Sequence, residues 1–283
     1  MKQRIISSLC GVALVAFVFL LNTPYPIGLN LIIAIISIIA LYELQITTGY
    51  IKNAALTSVS FLFAAGVAFL PFFVDHNTKM VFSVMGVMLF LFIAIMFWIM
   101  LRHHSSIGLD KIGLVFLTTV MISAAFMTMV MLRDRFGIFH VILLMVMSWS
   151  TDICALFSGK LFGKHKMTPT ISPNKTIEGA IGGVISSVVI TIAFAYIYQL
   201  MFKGTWTNGV HVRFWPLLIL SLCCSLISIF GDLSFSIIKR HCNIKDFGKI
   251  MPGHGGVLDR FDSIIFVSPF LFLYLQFFLV VIN

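Results

Sequence analysis

Long apolar segments decide what this chain can fold into. We distinguish about nine of them, each roughly 17–26 residues long, and a helix of that length crosses ~30 Å of hydrocarbon. The segments are apolar throughout rather than alternating, so membrane-spanning strands are a poor alternative. Their approximate spans are 5–21, 27–46, 54–74, 80–101, 112–132, 136–157, 177–202, 214–233 and 264–282.

The polar content of the chain supports the same class of protein. Only 10% of the residues are charged, whereas an average soluble domain is about 25% charged. The sequence therefore predicts an all-α polytopic membrane protein with about nine transmembrane helices. The first segment follows a basic start, as a secretory signal does, but no small-residue cleavage site follows it, so we expect a helix there.

The distribution of basic residues predicts the orientation. Lysine and arginine concentrate in the cytoplasmic loops of membrane proteins. With a cytoplasmic N-terminus, most of the 19 lysines and arginines fall on the cytoplasmic side, and the outside set is limited to Lys79, Arg133, Arg135, Lys203 and Arg213. We therefore expect the loops between helices 6 and 7 and between helices 8 and 9 to lie in the cytoplasm. We expect the membrane to be a bacterial inner membrane.

Polar chemistry divides the chain into two parts. Residues 1–135 form a plain set of membrane helices, in which the acidic residues are few: Glu43, Asp75, Asp110 and Asp134. Residues 136–283 contain two longer loops, 158–176 and 234–263, that are polar, basic and rich in glycine. Long loops in a compact fold are usually functional or disordered, so we interpret 136–283 as the catalytic half.

The first loop, GKLFGKHKMTPTISPNKTIEG, allows two interpretations. Its lysines, Lys160, Lys164 and Lys175, together with glycine amides and a helix N-terminus, would form a phosphate cradle. Alternatively, Ser172 or Thr176 caps the next helix, with Glu178 in the first turn. The segment lacks the GxxxxGK[ST] pattern, because His165 follows Lys164, and this makes a P-loop unlikely.

Two carboxylates lie within apolar segments, Asp152 in WSTDICAL and Asp232 in IFGDLSF. Ionisable residues inside a membrane are costly and are functional by default. The alternative for both residues is a cap or an interfacial position at the end of a helix. We expect Asp152 to orient a lysine or a second cation.

The second loop contains a dense set of polar residues. Asp259 and Asp262 are three apart, so a helical turn puts both on one face. Two close carboxylates repel unless a cation joins them, and Mg²⁺ is the natural candidate because it binds carboxylate and phosphate oxygens. Gly255 and Gly256 allow a close approach to an anion. The phosphate-holding cations would be Lys239, Arg240, Lys245 and Arg260, and His254 is either a proton donor, a phosphate contact or an ordinary loop histidine.

These residues carry a resemblance to a known family. Residues 236–262 closely resemble the signature of the phosphatidate cytidylyltransferases (CDP-diacylglycerol synthases), and GKLFGKHK and SPNKT upstream are also similar to that family. The matching positions are Ser236, Lys239-Arg240, Lys245-Asp246, Pro252, His254-Gly255-Gly256, Asp259-Arg260 and Asp262.

The resemblance implies a nine-helix membrane enzyme, usually dimeric, that makes CDP-diacylglycerol and pyrophosphate from CTP and phosphatidate with Mg²⁺. The family's metal-binding aspartates match Asp232 and Asp259, with Asp152 as a candidate ligand of a second cation. The implied catalytic set is Asp232, Asp259, Asp262, Lys239, Arg240 and His254. The implied substrate-binding set is Lys160, Lys164, Ser172, Lys175, Thr176, Lys245, Asp246, Gly255, Gly256 and Arg260.

The chain departs from the family pattern near three of these positions. Phe235 stands where many members have glutamate, and Ile153 and Leu156 replace hydroxyl residues near Asp152. These changes put the surroundings of the site, and full activity, in question. A catalytically inactive relative, a CTP-dependent lipid enzyme such as a polyprenol kinase, and a cation-coupled transporter using Asp152 and Asp232 are the alternatives.

Overall fold

The computed structural model describes residues 27–51, 53–74, 78–104, 107–201, 211–250 and 255–282. Over these residues the chain forms eight helices. They are α1 (Ile27–Tyr42, continued by a π-helical turn over Glu43–Thr47), α2 (Ala54–Phe73), α3 (Thr78–Arg102), α4 (Leu109–Phe136), α5 (Ile138–Phe162), α6 (Ile177–Met201), α7 (Phe214–His241) and α8 (Leu258–Phe277). Two pairs of short strands complete the fold.

Seven of these helices, α1 with its π-helical turn through α7, are long and apolar enough to cross a membrane. The prediction of a helical, multi-pass integral membrane protein is confirmed. The predicted first segment, 5–21, lies outside the described residues, and α8 is not one of these seven helices. Nine spans, their orientation and the placement of the loops therefore stay predictions.

Several helices extend beyond their apolar segments, and this corrects the predicted loops. Helix α5 reaches Phe162, α7 reaches His241 and α8 begins at Leu258. Lysine and arginine side chains are favourable near a helix C-terminus, where they offset the negative end of the helix dipole, so a helix need not stop where hydropathy falls. The predicted loop residues Lys160, Ser236, Lys239, Arg240, Asp259, Arg260 and Asp262 thus lie on helices.

The 158–176 segment contains a β-hairpin, which the all-α prediction missed. Strand β1 (Lys166–Thr168) pairs antiparallel with β2 (Ser172–Thr176), with Thr168 opposite Ser172. The Ile171 amide donates to the Thr168 carbonyl at 3.2 Å and closes the turn. Proline and β-branched residues favour such a short hairpin over a helix. A second pair, β3 (His211–Val212) and β4 (Val281–Ile282), is also antiparallel.

The chain divides into two compact units. The first unit comprises Met1–Phe136 and Cys242–Phe261, and the second comprises Gly137–His241 and Asp262–Asn283. In the first unit, α2 packs on α1, α3 and α4. Gln45 in the π-helical turn donates to the hydroxyls of Thr118 and Thr119 at 3.2 and 3.0 Å, which fixes the end of α1 against α4.

Close packing of α5 and α6 organises the second unit. A Cβ at Gly183 would lie 2.8 Å from the Ala155 Cβ, and one at Gly179 would lie 2.7 Å from the Ala155 carbonyl oxygen. Small residues at these positions let two membrane helices approach at backbone distance. The β-hairpin connects these two closely packed helices.

Candidate functional site

An ion pair joins Lys175 and Asp232 in the second unit. Strand β2 carries Lys175, and Asp232 lies within α7, well before its end. The Ser236 hydroxyl, one turn further along α7, is 3.5 Å from the other Asp232 oxygen. Both charged side chains are about three-quarters buried, so the predicted alternative of an end cap does not apply to Asp232.

A second lysine–carboxylate pair lies in the same unit. The Lys239 ammonium is 3.9 Å from an Asp262 oxygen, and these side chains are 12% and 10% exposed. The other Asp262 oxygen accepts from the Ser263 amide at 2.7 Å. The Ser263 hydroxyl donates to Asp152 at 3.1 Å, so a serine on α8 connects the carboxylates of Asp152 and Asp262.

We call Asp152, Asp232 and Asp262 the acidic cluster. Asp152 interacts electrostatically with the other two carboxylates and with Lys175. Repulsion among three carboxylates is relieved when cations lie beside them, and Lys175 and Lys239 do so here. The cluster therefore combines carboxylate oxygens, which suit a cation, with two ammonium groups, which suit an anion.

The donor chemistry of the acidic cluster fits Mg²⁺. In the described part of the chain, no group of three or more histidine, cysteine, aspartate or glutamate side chains is arranged to hold a metal ion. Mg²⁺ does not need such a group, since it is usually bound through one or two carboxylates together with waters and substrate phosphates. The predicted ligands Asp232 and Asp152 lie in this cluster.

Thr176 provides the predicted cap of α6. Its hydroxyl accepts from the Gly179 amide at 3.1 Å, whereas Ser172 lies in β2 opposite Thr168 and is not the cap. Glu178, in the first turn of α6, accepts from the amides of Lys164 and His165 at 3.1 and 3.2 Å. These hydrogen bonds hold the hairpin that carries Lys175 against the start of α6.

The other predicted cations of the second unit occupy more exposed positions. Lys160 lies in the last turn of α5, and Lys164 precedes β1; both are exposed. Arg240, also exposed, donates from its Nε to the Ile171 carbonyl at 3.0 Å and so contacts the turn of the hairpin. Phosphate binding by these residues stays a prediction.

In the first unit, Asp259 organises the segment that precedes α8. One of its oxygens accepts from the amides of Phe247 and Gly256, both at 2.9 Å. Gly255 has φ +89°, and a Cβ there would lie 3.1 Å from that same oxygen. Only glycine adopts this backbone readily. Gly255 is therefore required by the local backbone conformation, in addition to its predicted role in letting a substrate anion approach.

Glu43 is a residue of this site that the sequence prediction missed. It lies in the π-helical turn after α1, is 0% exposed, and accepts from the amides of Val257 and Leu258 at 3.0 and 2.8 Å. The rule that selects Asp152 and Asp232, an ionisable residue inside an apolar segment, also applies to Glu43. The sequence prediction did not select Glu43 because residues 1–135 contain no motif that points to a functional site.

A cavity of about 580 Å³ lies beside this segment in the first unit, and Tyr42, Glu43, Lys245 and Asp246 are among its lining residues. Lys245, Asp246 and Arg260 have exposed side chains, as substrate-binding residues would. The predicted histidine, His254, lies outside the described residues.

The departures from the family pattern have structural explanations. Phe235 is 0% exposed and packs against Phe266 with ring centroids 6.2 Å apart, so it belongs to the core of the second unit. Ile153 and Leu156 are each 55% exposed. Hydrophobic side chains exposed on a membrane-spanning helix suit a lipid environment, and Asp152 accepts from the Ser263 hydroxyl at 3.1 Å in this chain.

Comparison with known proteins identifies one family. The model of the cytidylyltransferase family matches residues 2–278. A phosphatidate cytidylyltransferase of Bacillus subtilis (strain 168) is 33% identical over 285 residues, which cover 98% of each chain. Phosphatidate cytidylyltransferases of Staphylococcus aureus (strain COL) and Staphylococcus haemolyticus (strain JCSC1435) are 44% and 42% identical over 135 residues, which cover 48% of each chain.

Proposed function

The chain belongs to the cytidylyltransferase family, and we propose that it is a phosphatidate cytidylyltransferase. It transfers CMP from CTP to phosphatidate and gives CDP-diacylglycerol and pyrophosphate in phospholipid biosynthesis. The observation that carries this proposal is the acidic cluster with its two lysines, Lys175 and Lys239, inside a multi-pass membrane protein. Such a site suits anionic reactants, one of which stays in the bilayer.

The reaction is an in-line displacement at phosphorus. An oxygen of the phosphatidate phosphate forms a bond to the α-phosphorus of CTP, while the bond from that phosphorus to the α,β-bridging oxygen breaks. Pyrophosphate leaves with that oxygen and the bonding electrons. The attacking phosphate is already ionised at pH 7, so a strong general base is not needed, and catalysis rests on positioning and charge neutralisation.

Lysine side chains would supply much of that neutralisation. Lys175 and Lys239 each lie beside a carboxylate, so either ammonium can exchange a carboxylate for a phosphate oxygen without crossing the site. Lys245, on the segment before α8, and Arg240, at the hairpin turn, are further candidates for contacts with the substrate phosphates. A bidentate arginine would orient a phosphate, and a lysine acts as a point charge.

Mg²⁺ is the proposed cofactor, and when bound it would neutralise the nucleotide phosphates and the departing pyrophosphate. Asp232 in the second unit is one proposed ligand. Asp259 in the first unit is the other, on the strength of the family signature, and Asp152 is the candidate ligand of a second cation. The donor set consists of hard carboxylate oxygens, as Mg²⁺ requires.

The orientation and assembly belong to the same proposal. We place the active site on the cytoplasmic face of a bacterial inner membrane, where CTP is available, because most basic residues fall on that side when the N-terminus is cytoplasmic. A homodimer is the proposed oligomeric state. The orientation is tested by replacing Lys203 or Lys245 with cysteine and labelling each variant from either side of sealed vesicles. The oligomeric state is tested by light scattering of the purified protein.

The decisive experiment is a product assay with purified protein, α-³²P-labelled CTP, phosphatidate and Mg²⁺, followed by thin-layer chromatography. The proposal requires label in a lipid that co-migrates with CDP-diacylglycerol, with loss of product on chelation and recovery on adding Mg²⁺. A γ-labelled sample distinguishes a lipid kinase, which would transfer only the terminal phosphate. Absence of any labelled lipid would contradict the proposed function.

A further inference from the structure

Glu43 is buried completely although it carries an ionisable side chain. It follows the apolar helix α1, and its neighbours Leu41 and Leu44 are buried as well. A buried carboxylate is costly unless its oxygens receive hydrogen bonds. The partners that it uses therefore indicate why a glutamate is present at this position.

Those partners are two consecutive backbone amides at the start of α8. One carboxylate oxygen accepts from Val257 and the other from Leu258, across 214 and 215 residues of sequence. The first amides of a helix have no partner within the helix, and the positive end of the helix dipole favours a negative charge there. Glu43 thus supplies the cap of α8 from a distant part of the chain.

Two glycines leave the space that Glu43 fills. A Cβ at Gly256 would lie 2.5 Å from a Glu43 oxygen, and a Cβ at Gly248 would also collide with the carboxylate. Both glycines lie within residues 245–259, the segment that also carries Lys245, Asp246 and Asp259. The Asp259 carboxylate accepts from the amides of Phe247 and Gly256 in the same segment. Together the Glu43 and Asp259 carboxylates accept hydrogen bonds from backbone amides at residues 247, 256, 257 and 258.

We infer that Glu43 is a positioning residue for the reaction. It holds the backbone of the segment before α8, and so sets the positions of Lys245, Asp246 and Asp259, without touching the substrates. Both of its oxygens are engaged by backbone amides, which argues against a role as general base. This inference rests on the proposed function for its consequence in catalysis, while the capping itself is a property of the fold.

The test uses Glu43→Gln in the full-length protein. An amide has one acceptor oxygen for two backbone N–H groups, so one of them loses its partner. We expect kcat/KM for CTP to fall about 10- to 100-fold, with a higher KM. A loss of folded protein alone would lower the apparent kcat and leave KM unchanged, so the split between the two parameters separates positioning from simple destabilisation.

The matched control is Gln45→Ala. Gln45 is buried in the same π-helical turn, but it donates to Thr118 and Thr119 on α4 rather than to the segment before α8. We expect it to lower the melting temperature and to leave the KM for CTP unchanged. An equal rise in KM for both variants would overturn the inference.

A second variant keeps the test valid if Glu43→Gln folds poorly. Gly256→Ala puts a methyl group against the carboxylate and should raise the KM for CTP by a similar factor. In a Glu43→Ala background that obstacle is gone, so adding Gly256→Ala should cost less than about 2-fold more. Full additivity of the two substitutions would show that they act independently and would overturn the inference.

Amide hydrogen exchange provides a readout that needs no activity. Peptides that cover 255–260 should exchange faster in Glu43→Gln than in the wild type, while peptides of α4 are unchanged. Unchanged exchange over 255–260 overturns the inference whatever the kinetics. If the wild type makes no CDP-diacylglycerol, the proposed function fails, and the exchange rates still decide whether Glu43 holds this segment.

Discussion

Lys175 on strand β2 donates from its ammonium group to the carboxylate of Asp232 on helix α7, 57 residues further along the chain. Lys175 belongs to a short polar hairpin, whereas Asp232 belongs to an apolar helix. Their contact makes a charge pair that is about three-quarters buried.

Lys175→Met should lower CDP-diacylglycerol formation about 100-fold or more, because a positioned charge near a reacting phosphate is worth about that much in kcat. The measurement is the labelled-CTP assay at saturating substrate. Lys166→Met is the matched control, since Lys166 is exposed on the other strand of the same hairpin, and its activity should stay within about 2-fold of wild type. A Lys175→Met enzyme with wild-type kcat would remove Lys175 from the site.

Asp259→Asn should abolish product formation and leave expression and membrane insertion intact. The asparagine keeps one side-chain oxygen for the amides of Phe247 and Gly256, so the segment before α8 should retain its shape, while the charge proposed to bind Mg²⁺ is lost. The control is Asp110→Asn, which removes the same charge at an exposed position in the first turn of α4. This variant should form product at the wild-type rate. Full turnover by Asp259→Asn is the result that contradicts the metal role.

Arg133→Met should destabilise the first unit by about 3–5 kcal/mol, the usual cost of breaking a buried ion pair. Arg133 is 6% exposed, donates to the Asn30 side chain at 3.0 Å and pairs with Asp134. Arg135→Met is the control, because Arg135 lies two residues away and is exposed. Thermal unfolding in detergent micelles compares the two, and equal melting temperatures would show that the buried pair contributes little.

Gly183→Leu should lower the stability of the second unit by about 1–3 kcal/mol, as overpacking of a tight interface does. The added side chain would push α6 from α5, because the Thr151 carbonyl and the Ala155 methyl lie within 2.9 Å of the new Cβ. Gly86→Leu on α3, where no atom lies within 4 Å of the new Cβ, should be tolerated. The measurement is the fraction of each variant that stays monodisperse after heating, as determined by size-exclusion chromatography.

Hydropathy alone predicted most of the helices in the fold. The apolar segments 27–46, 54–74 and 177–202 match helices whose bounds differ from them by only a few residues, because burial in lipid requires a continuous apolar surface. The apolar segments end at residues 157 and 233, whereas α5 and α7 continue to Phe162 and His241. Lys160, Lys239 and Arg240 lie on helices although they are polar. Hydropathy detects where an apolar run ends, which differs from where the backbone hydrogen bonds of the helix end.

The candidate site was less accessible to sequence reasoning. The signature residues could be named in advance because their spacing is long and specific, whereas the partner of each residue could not. The Lys175–Asp232 pair depends on the path of the β-hairpin, and the Glu43 cap depends on a contact across more than 200 residues. Such long-range contacts leave no local sequence pattern. A single glutamate in an apolar segment has no neighbouring charged residue whose spacing could indicate a motif.

The discontinuous first unit has a consequence for biosynthesis. Its last portion, Cys242–Phe261, is synthesised only after the helices of Gly137–His241. Domains usually fold as they leave the ribosome, N-terminal parts first. The hydrogen bonds of the Glu43 carboxylate, however, cannot form until Val257 and Leu258 have been translated. During that interval the Glu43 side chain lacks the two backbone partners that it has in the folded protein. This half of the molecule therefore completes its folding late, and chaperone contacts on nascent chains halted before residue 257 should be longer-lived than on those released after it.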